Sequence, residues 1–377
     1  MESRCDVGSA LGGISPYLGR LESSRAKELV LGLTKAGQIV HDPFCGSGTI
    51  PLEAWANGRH AIGGDRNPYA VALARAKLNP PKDLETALQT INIVHERAQA
   101  AKKSVDLRRV PSWVRQFFHS ETLREAIAWS DVLRTSQEHF LFGCFLNILH
   151  HQRPGFLSFP ASHVTPYLRT AKFPIHDFPT MYEMRDVRSR IEKKVRRTLK
   201  NSIPYDFNLN RQISKCTAER PPAGQELIHC IITSPPYMSE LDYGRDNRLR
   251  LWFCGVTDWK TLDASISPRR QPFLQLMARC VVSWEKILQP SGHIALVLGD
   301  SRRSGPARVD VPQLVLDIVK RRTSELKLID ITVNELPALS RVIKGKTGTL
   351  FETPSHRVSR FRRRLCNLRA RVGTCVL

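Results

Sequence analysis

The string DPFCGSGT over residues 42–49 constrains the fold of this 377-residue chain more than any other feature. A short buried-strand candidate at 38–41 precedes it, and a helix-like stretch at 50–56 follows it. Gly46 and Gly48 therefore stand at a strand-to-helix turn. Residues without a Cβ there let the backbone approach a ligand closely, with a helix N-terminus facing it. A second short strand at 61–64 ends in Asp65, 17 positions after Gly48, and Pro68 suits the first turn of a helix running to about 78. Strand, glycine turn, helix, strand, helix is the start of a doubly wound, mostly parallel α/β sheet of Rossmann-like type. Asp42, at the first strand end, is placed to bind an ammonium group, and Asp65 to bind ribose hydroxyls. Pro51 stands where the dinucleotide fingerprint needs a third glycine or alanine, which argues against a nicotinamide-dependent oxidoreductase.

The alternating pattern breaks at Asn79-Pro80-Pro81-Lys82. Residues 81–227 read as a largely helical insert without clear strands, so residues 1–80 are the first part of the sheet domain. Met184, Val187, Ile191, Val195 and Leu199 share one helical face in this insert. Eight basic residues fall between 185 and 200, against Asp186 and Glu192 alone. Arg185, Arg188, Lys193, Lys194, Arg196 and Arg197 are the candidate phosphate contacts; a solvated surface helix is the alternative. The sheet resumes at 227–233, with a helix at about 273–288, a turn at Pro290-Ser291-Gly292, a strand at 293–300, a helix near 311–322 and a strand near 326–334. Residues 228–352 thus complete the domain. Residues 353–377 carry seven arginines and no acid, and read as a basic tail, either unstructured or a nucleic-acid arm.

Charge agrees with such a partner. Lys and Arg number 57 against 35 Asp and Glu, a net +22, and phosphates attract such a surface at long range. Nine cysteines without any Cys-x-x-Cys pair argue against a disulfide framework and a structural zinc site, and fit a reducing cytoplasm. No metal is expected, and His150-His151 reads as a helix end. Neither a signal peptide nor a membrane-spanning run is visible.

The second motif, Thr233-Ser234-Pro235-Pro236-Tyr237, ends an apolar strand. Two successive prolines stiffen the backbone and remove two donors, so the carbonyls there act as pure acceptors. Ser234 adds a hydroxyl, and Tyr237 a flat face for stacking on a base.

Together the two motifs resemble those of the DNA amino-methyltransferases, which modify cytosine N4 or adenine N6. Ser15-Pro16-Tyr17-Leu18-Gly19-Arg20 is similar to the segment preceding that family's cofactor motif. The stretch 241–249 also looks like a feature of one subgroup. The order of cofactor motif, long insert and catalytic loop resembles the subgroup whose target-recognition region lies between the motifs. The resemblance covers about 15–80 and 227–335. It implies S-adenosyl-L-methionine as cofactor, held by Tyr17, Asp42, Pro43, Phe44, Gly46, Ser47, Gly48, Thr49, Asp65 and Asn67. It implies catalysis by Ser234, Pro235, Pro236 and Tyr237 on a base flipped out of DNA. Serine before Pro-Pro implies cytosine N4, in a site-specific enzyme of restriction–modification type beside the nucleoid, with a restriction endonuclease as companion. Adenine N6, an RNA base, and a nucleic-acid-binding protein that has lost catalysis are the alternatives. Two departures stand out. The insert shows no strand to pack on the cofactor's adenine, and the arginine-rich end occupies the place of the family's final apolar strand.

Overall fold

The computed structural model describes residues 7–14, 16–17, 19–163, 165–201, 205–220, 227–236, 242–266, 269–298, 310–334 and 365–372. Its strands are β1 (Ile39–Asp42), β2 (His60–Asp65), β3 (Arg211–Lys215), β4 (Ile228–Thr233), β5 (Leu288–Leu298), β6 (Leu326–Asn334) and β7 (Leu365–Val372). They form one sheet in the order β3-β2-β1-β4-β5-β7-β6. β7 runs antiparallel to both of its neighbours, and β1, β2, β3, β4 and β5 pair in parallel. Helices α1 (Val7–Gly12), α2 (Ser23–Leu33), α3 (Thr49–Ala56) and α4 (Pro68–Leu78) accompany the first two strands. The insert contributes α5 (Leu84–Lys102), α6 (Ser112–Arg115), α7 (Ser120–Thr135), α8 (His139–Ile148) and α9 (Val187–Thr198). After β4 come α10 (Tyr243–Asp246), α11 (Arg248–Phe253), α12 (Trp259–Ile266) and α13 (Arg270–Ile287), and α14 (Val311–Arg322) follows β5.

β4 and the second half of β5 are apolar runs because both faces of the sheet are covered there. Successive side chains leave a strand on opposite faces, and the two cores divide accordingly. Val40, Cys230, Ile232, Ala295 and Val297 join Trp55, Leu73, Trp129 and Phe145 on the face of α3, α4 and the insert. Ile39, Ile231, Ile294, Leu296 and Leu298 join Phe273, Met277, Trp284 and Val315 on the face of α13 and α14. The insert is layered on the first face, with α8 across α4 and α9 against α8 and α5. Two local choices set the crossing of α3 and α4. Asn67 caps α4 by accepting from the Tyr69 N–H, with Pro68 in the first turn. Gly48 has φ +77°, and a Cβ there would lie 2.8 Å from the Ala74 Cβ.

The doubly wound sheet and the helical insert are as the sequence predicts, with three corrections. The insert does hold a strand: β3 lies inside 81–227 and extends the sheet beside β2. Its five residues, Arg-Gln-Ile-Ser-Lys, form an edge strand with one buried side chain, so they lack the apolar run that marks β4. Second, residues 365–372 are not tail. They form β7, paired from His293↔Arg371 to Leu298↔Cys366 and from Leu326↔Val372 to Asn334↔Leu365. An arginine-rich segment reads as solvated, yet the backbone groups of β5 and β6 need a partner between them, and this segment supplies it. Third, Pro290-Ser291-Gly292 lies within β5 at a register irregularity rather than in a separate turn.

Ending the chain at residue 352 is therefore expected to damage the fold rather than merely trim a surface arm. The shortened protein should lose its cooperative thermal transition by circular dichroism. A truncated chain that melts like the full one would show that β7 is dispensable.

Candidate active site

The strand order reverses between β1 and β4, with β2 and β3 on one side and β5 on the other. Such a switch point leaves a crevice at the C-terminal strand ends. Here those ends are Asp42 on β1, Asp65 on β2 and Thr233 on β4. The Thr233 hydroxyl donates to Asp42 Oδ1 at 2.5 Å. The Phe44 N–H points at both, 3.2 Å from Asp42 Oδ1 and 3.3 Å from Thr233 Oγ1. One buried cluster thus joins the glycine loop to the strand end from which Ser234-Pro235-Pro236 emerges.

Asp65 braces the loop from the other side. One carboxylate oxygen accepts the Gly46 N–H at 2.9 Å, and the other accepts the Asn67 N–H at 2.8 Å. The Asn67 amide donates to the Tyr17 hydroxyl at 3.4 Å. The Tyr17 ring covers Gly46, whose added Cβ would sit 3.3 Å from Tyr17 Cε1. Tyr243 stacks on Tyr17 with centroids 6.0 Å apart and planes 24° apart. The resulting cleft encloses about 820 Å³ of empty space, part of it open solvent.

Of the ten residues assigned to the cofactor, all but Gly48 line this cleft, and so do Ser234 and Pro236. Gly48 lies beneath, against α4. Pro235 is buried beside the cleft. Tyr237 lies outside the described residues. Several lining residues went unassigned in the sequence: Arg20, Cys216, Ala218, Ser265 and Tyr243. Cys216 and Ala218 follow β3, whose strand has no apolar signature. Tyr243 falls in a stretch whose resemblance to the subgroup was noted without a role for it. Thr233 was within the second motif, but only the fold reveals its bond to Asp42.

Burial governs the electrostatics. Asp42 is 2% exposed, and desolvation pushes its carboxyl up to about 7 against the Thr233 and Phe44 hydrogen bonds. Asp65, half-buried, is pushed up to about 6 for the same reason. Neither forms an ion pair among the described residues. Two desolvated carboxylates facing one cleft are a standing attraction for a cation or for hydroxyl donors.

The basic helix of the insert is corrected in part. Val187, Ile191, Val195 and Leu199 are buried as expected, whereas Met184 precedes α9 and is 45% exposed. Arg185 turns inward: its guanidinium donates to the Phe156, Ser158 and Met181 carbonyls. Lys194 is 5% exposed and donates to Gly13 O at 3.3 Å. Both are held inside the protein, away from any phosphate. Arg188 bonds Asn92, and Arg196 pairs with Glu192. Lys193, Arg196 and Arg197 are exposed.

The strand order, its one antiparallel strand and the cleft over the glycine loop are those of the class I methyltransferase fold. The family model described as DNA methylase matches residues 24–76, from α2 through the glycine loop into α4, and supports a relation to the amino-methyltransferases. Among solved structures the chain is similar to TrmN from Thermus thermophilus, at 10% identity and a TM-score of 0.38, over 97% of this chain and 52% of that one. It thus spans about half the length of that protein. It is also similar to the rRNA methyltransferase aviRa from Streptomyces viridochromogenes, at 13% identity and a TM-score of 0.34, over 98% of this chain and 94% of that one. No curated protein sequence matches the chain.

The raised Asp42 carboxyl has a consequence for stability. The folded chain holds this proton more tightly than the unfolded one. The group's effect is therefore most favourable below the usual aspartate value near 4, and stability falls as pH rises from there through about 7. Asp42→Asn should flatten that part of the curve, measured by urea unfolding at a series of pH values. A slope identical to wild type would show that Asp42 is not the buried acid responsible.

Proposed function

We propose that the chain transfers a methyl group from S-adenosyl-L-methionine to the exocyclic amino group of a base in DNA, cytosine N4 in particular. The observation that carries this reading is the single cleft shared by Asp42, Gly46, Asp65, Ser234 and Pro236. The residues present fit the cofactor. Gly46 leaves a gap that a Cβ would narrow, the buried Asp42 carboxyl suits an ammonium, and Asp65 retains lone pairs for ribose hydroxyls. When bound, the cofactor's sulfonium supplies an already activated methyl group.

The amino group of an aromatic base is a poor nucleophile, because its lone pair is delocalised into the ring. The Ser234 hydroxyl and the Pro235 carbonyl accept its two hydrogens and favour the tetrahedral nitrogen. Their value lies in position and fixed dipoles. Tyr237 offers the stacking face for a flipped base. The net charge of +22 supports a polyanionic substrate. Serine in the second motif supports cytosine over adenine through the family resemblance. A site-specific enzyme with a companion restriction endonuclease in the cytoplasm completes the reading.

The test combines purified protein, radiolabelled S-adenosyl-L-methionine and mixed-sequence duplex DNA, with nucleoside digestion and mass analysis. N4-methylcytosine is the expected product. N6-methyladenine would overturn the base assignment, and methylation of RNA alone would overturn the DNA assignment. Ser234→Ala should lower turnover about 10²-fold while calorimetry shows near-normal cofactor affinity. An undiminished rate would remove Ser234 from the chemistry.

A further inference from the structure

Between α8 and α9 the described residues of 149–186 form no α-helix and no strand. They hold a short 3₁₀ turn at Pro179–Met181 and one antiparallel bridge, Ala161↔Leu168. Irregular segments of this length inside a compact domain are commonly functional. The backbone is tied from within. His150 Nδ1 donates to Ser162 O at 2.9 Å, Arg250 to His163 O at 3.4 Å, and Arg248 to Pro166 O. The Thr165 hydroxyl donates to Asp246 Oδ1 at 2.7 Å. Asp246 lies on α10 with Tyr243, which lines the cleft. The segment is thus held against an element of the cleft wall.

With the backbone held inside, large side chains stand in water. Tyr167 is 49% exposed and Ile175 61%. The Ser162 N–H donates to Tyr167 O at 2.9 Å and fixes the turn that carries the ring. Arg169 places its guanidinium carbon 6.0 Å from the Tyr167 ring centroid, and Lys172 Nζ stands 5.6 Å from that of Phe173. Arg169 also bonds Gln152. That bond joins this arm to the stretch holding the exposed Arg153 and His151, whose ring stacks on Phe156 with centroids 4.7 Å apart. No acidic residue occurs from 139 to 176, in a chain with 35 of them. Exposed apolar and aromatic area grouped in this way marks an interaction site, and acid-free surroundings with Arg153, Arg169 and Lys172 select an anionic partner.

The shape of this face selects among forms of nucleic acid. Reading a duplex groove takes a helix or a two-stranded ribbon that enters it and turns polar side chains to the base edges. Here there is a single bridge and no helix among the described residues of 151–176. Rings flanked by cations hold unpaired strands instead, through base stacking and phosphate contacts. We propose that residues 151–176 bind an unpaired DNA strand beside the target base, with a base stacked on Tyr167 and the neighbouring phosphates on Arg169 and Lys172. The inference rests on the reading of the chain as acting on DNA. It goes beyond that reading by assigning the strand contact to this segment and by requiring the DNA to be melted there.

Fluorescence anisotropy of the full chain with two probes tests this. One probe is a labelled single strand of mixed-sequence DNA; the other is the same strand annealed to its complement. Wild type should bind the single strand more tightly. Tyr167→Ala should weaken the single strand about tenfold and leave the duplex within about twofold, so that the preference collapses. Lys172→Ala should lower the slope of log affinity on log salt by about 0.7 for the single strand. Tighter binding of the duplex by wild type, or a Tyr167→Ala loss equal for both probes, would overturn the unpaired-strand contact and leave the DNA reading standing. A dimer in sedimentation that Tyr167→Ala dissociates, with DNA affinity unchanged, would give the face to a second copy of the chain and sink the inference equally. Binding of neither probe by wild type would remove the DNA reading as well.

Discussion

The hydrogen bond from Thr233 to the buried carboxyl of Asp42 is the constraint on which the site depends. It joins the ends of β1 and β4, the two parallel strands between which the strand order reverses, and so ties the glycine loop to the loop carrying Ser234. Parallel strands meet their neighbours only after long crossovers. The β1–β4 ladder at Val40↔Cys230 and His41↔Ile231 brings the two strand ends side by side, and this bond links their side chains. The burial that makes this tie rigid also raises the Asp42 carboxyl, so positioning and electrostatics here have one cause.

Part of the positive charge in this chain is turned inward. Arg59, Lys77, Arg185, Lys194 and Arg250 are all under 9% exposed. Most are satisfied by backbone carbonyls. Arg59 donates to Thr34 O and Asn57 O, Arg185 to three carbonyls of the insert, and Arg250 to Leu146 O and His163 O. A guanidinium presents five donors in a fixed fork, so one residue can tie several loop carbonyls that no strand or helix satisfies. The irregular segment around residues 150–185 is pinned in this way. Arginine count therefore overstates the surface available to phosphate.

Legibility in the sequence followed burial on both sides of an element. β1, β2, β4 and the second half of β5 are largely buried on both faces, and their apolar residues announce them. The glycine loop was legible because φ +50° at Gly46 and +77° at Gly48 demand glycine, and Asp65 because a carboxylate ends the next strand. β3 was hidden because an edge strand leaves polar side chains in water. β7 was hidden because its pairing is a property of the backbone, while its arginines imitate a tail. The inward turn of Arg185 was equally invisible, since a helical wheel assigns direction only within a helix and Arg185 precedes α9.

Helix α4 then explains why the insert and the glycine loop are not independent. Within one turn it presents Ala74 to Gly48, Ala76 to Gly143 of α8, and Lys77 to Ser47. Arg75, on the same turn, donates to Ile213 O of β3 at 3.0 Å. Contacts this close leave no room to absorb a shift, because packed interiors transmit strain rather than yielding. A displacement of α8 would reach Ser47 through α4. The insert is therefore mechanically coupled to the floor of the cleft, and the small residues at 74 and 76 are what make the coupling direct.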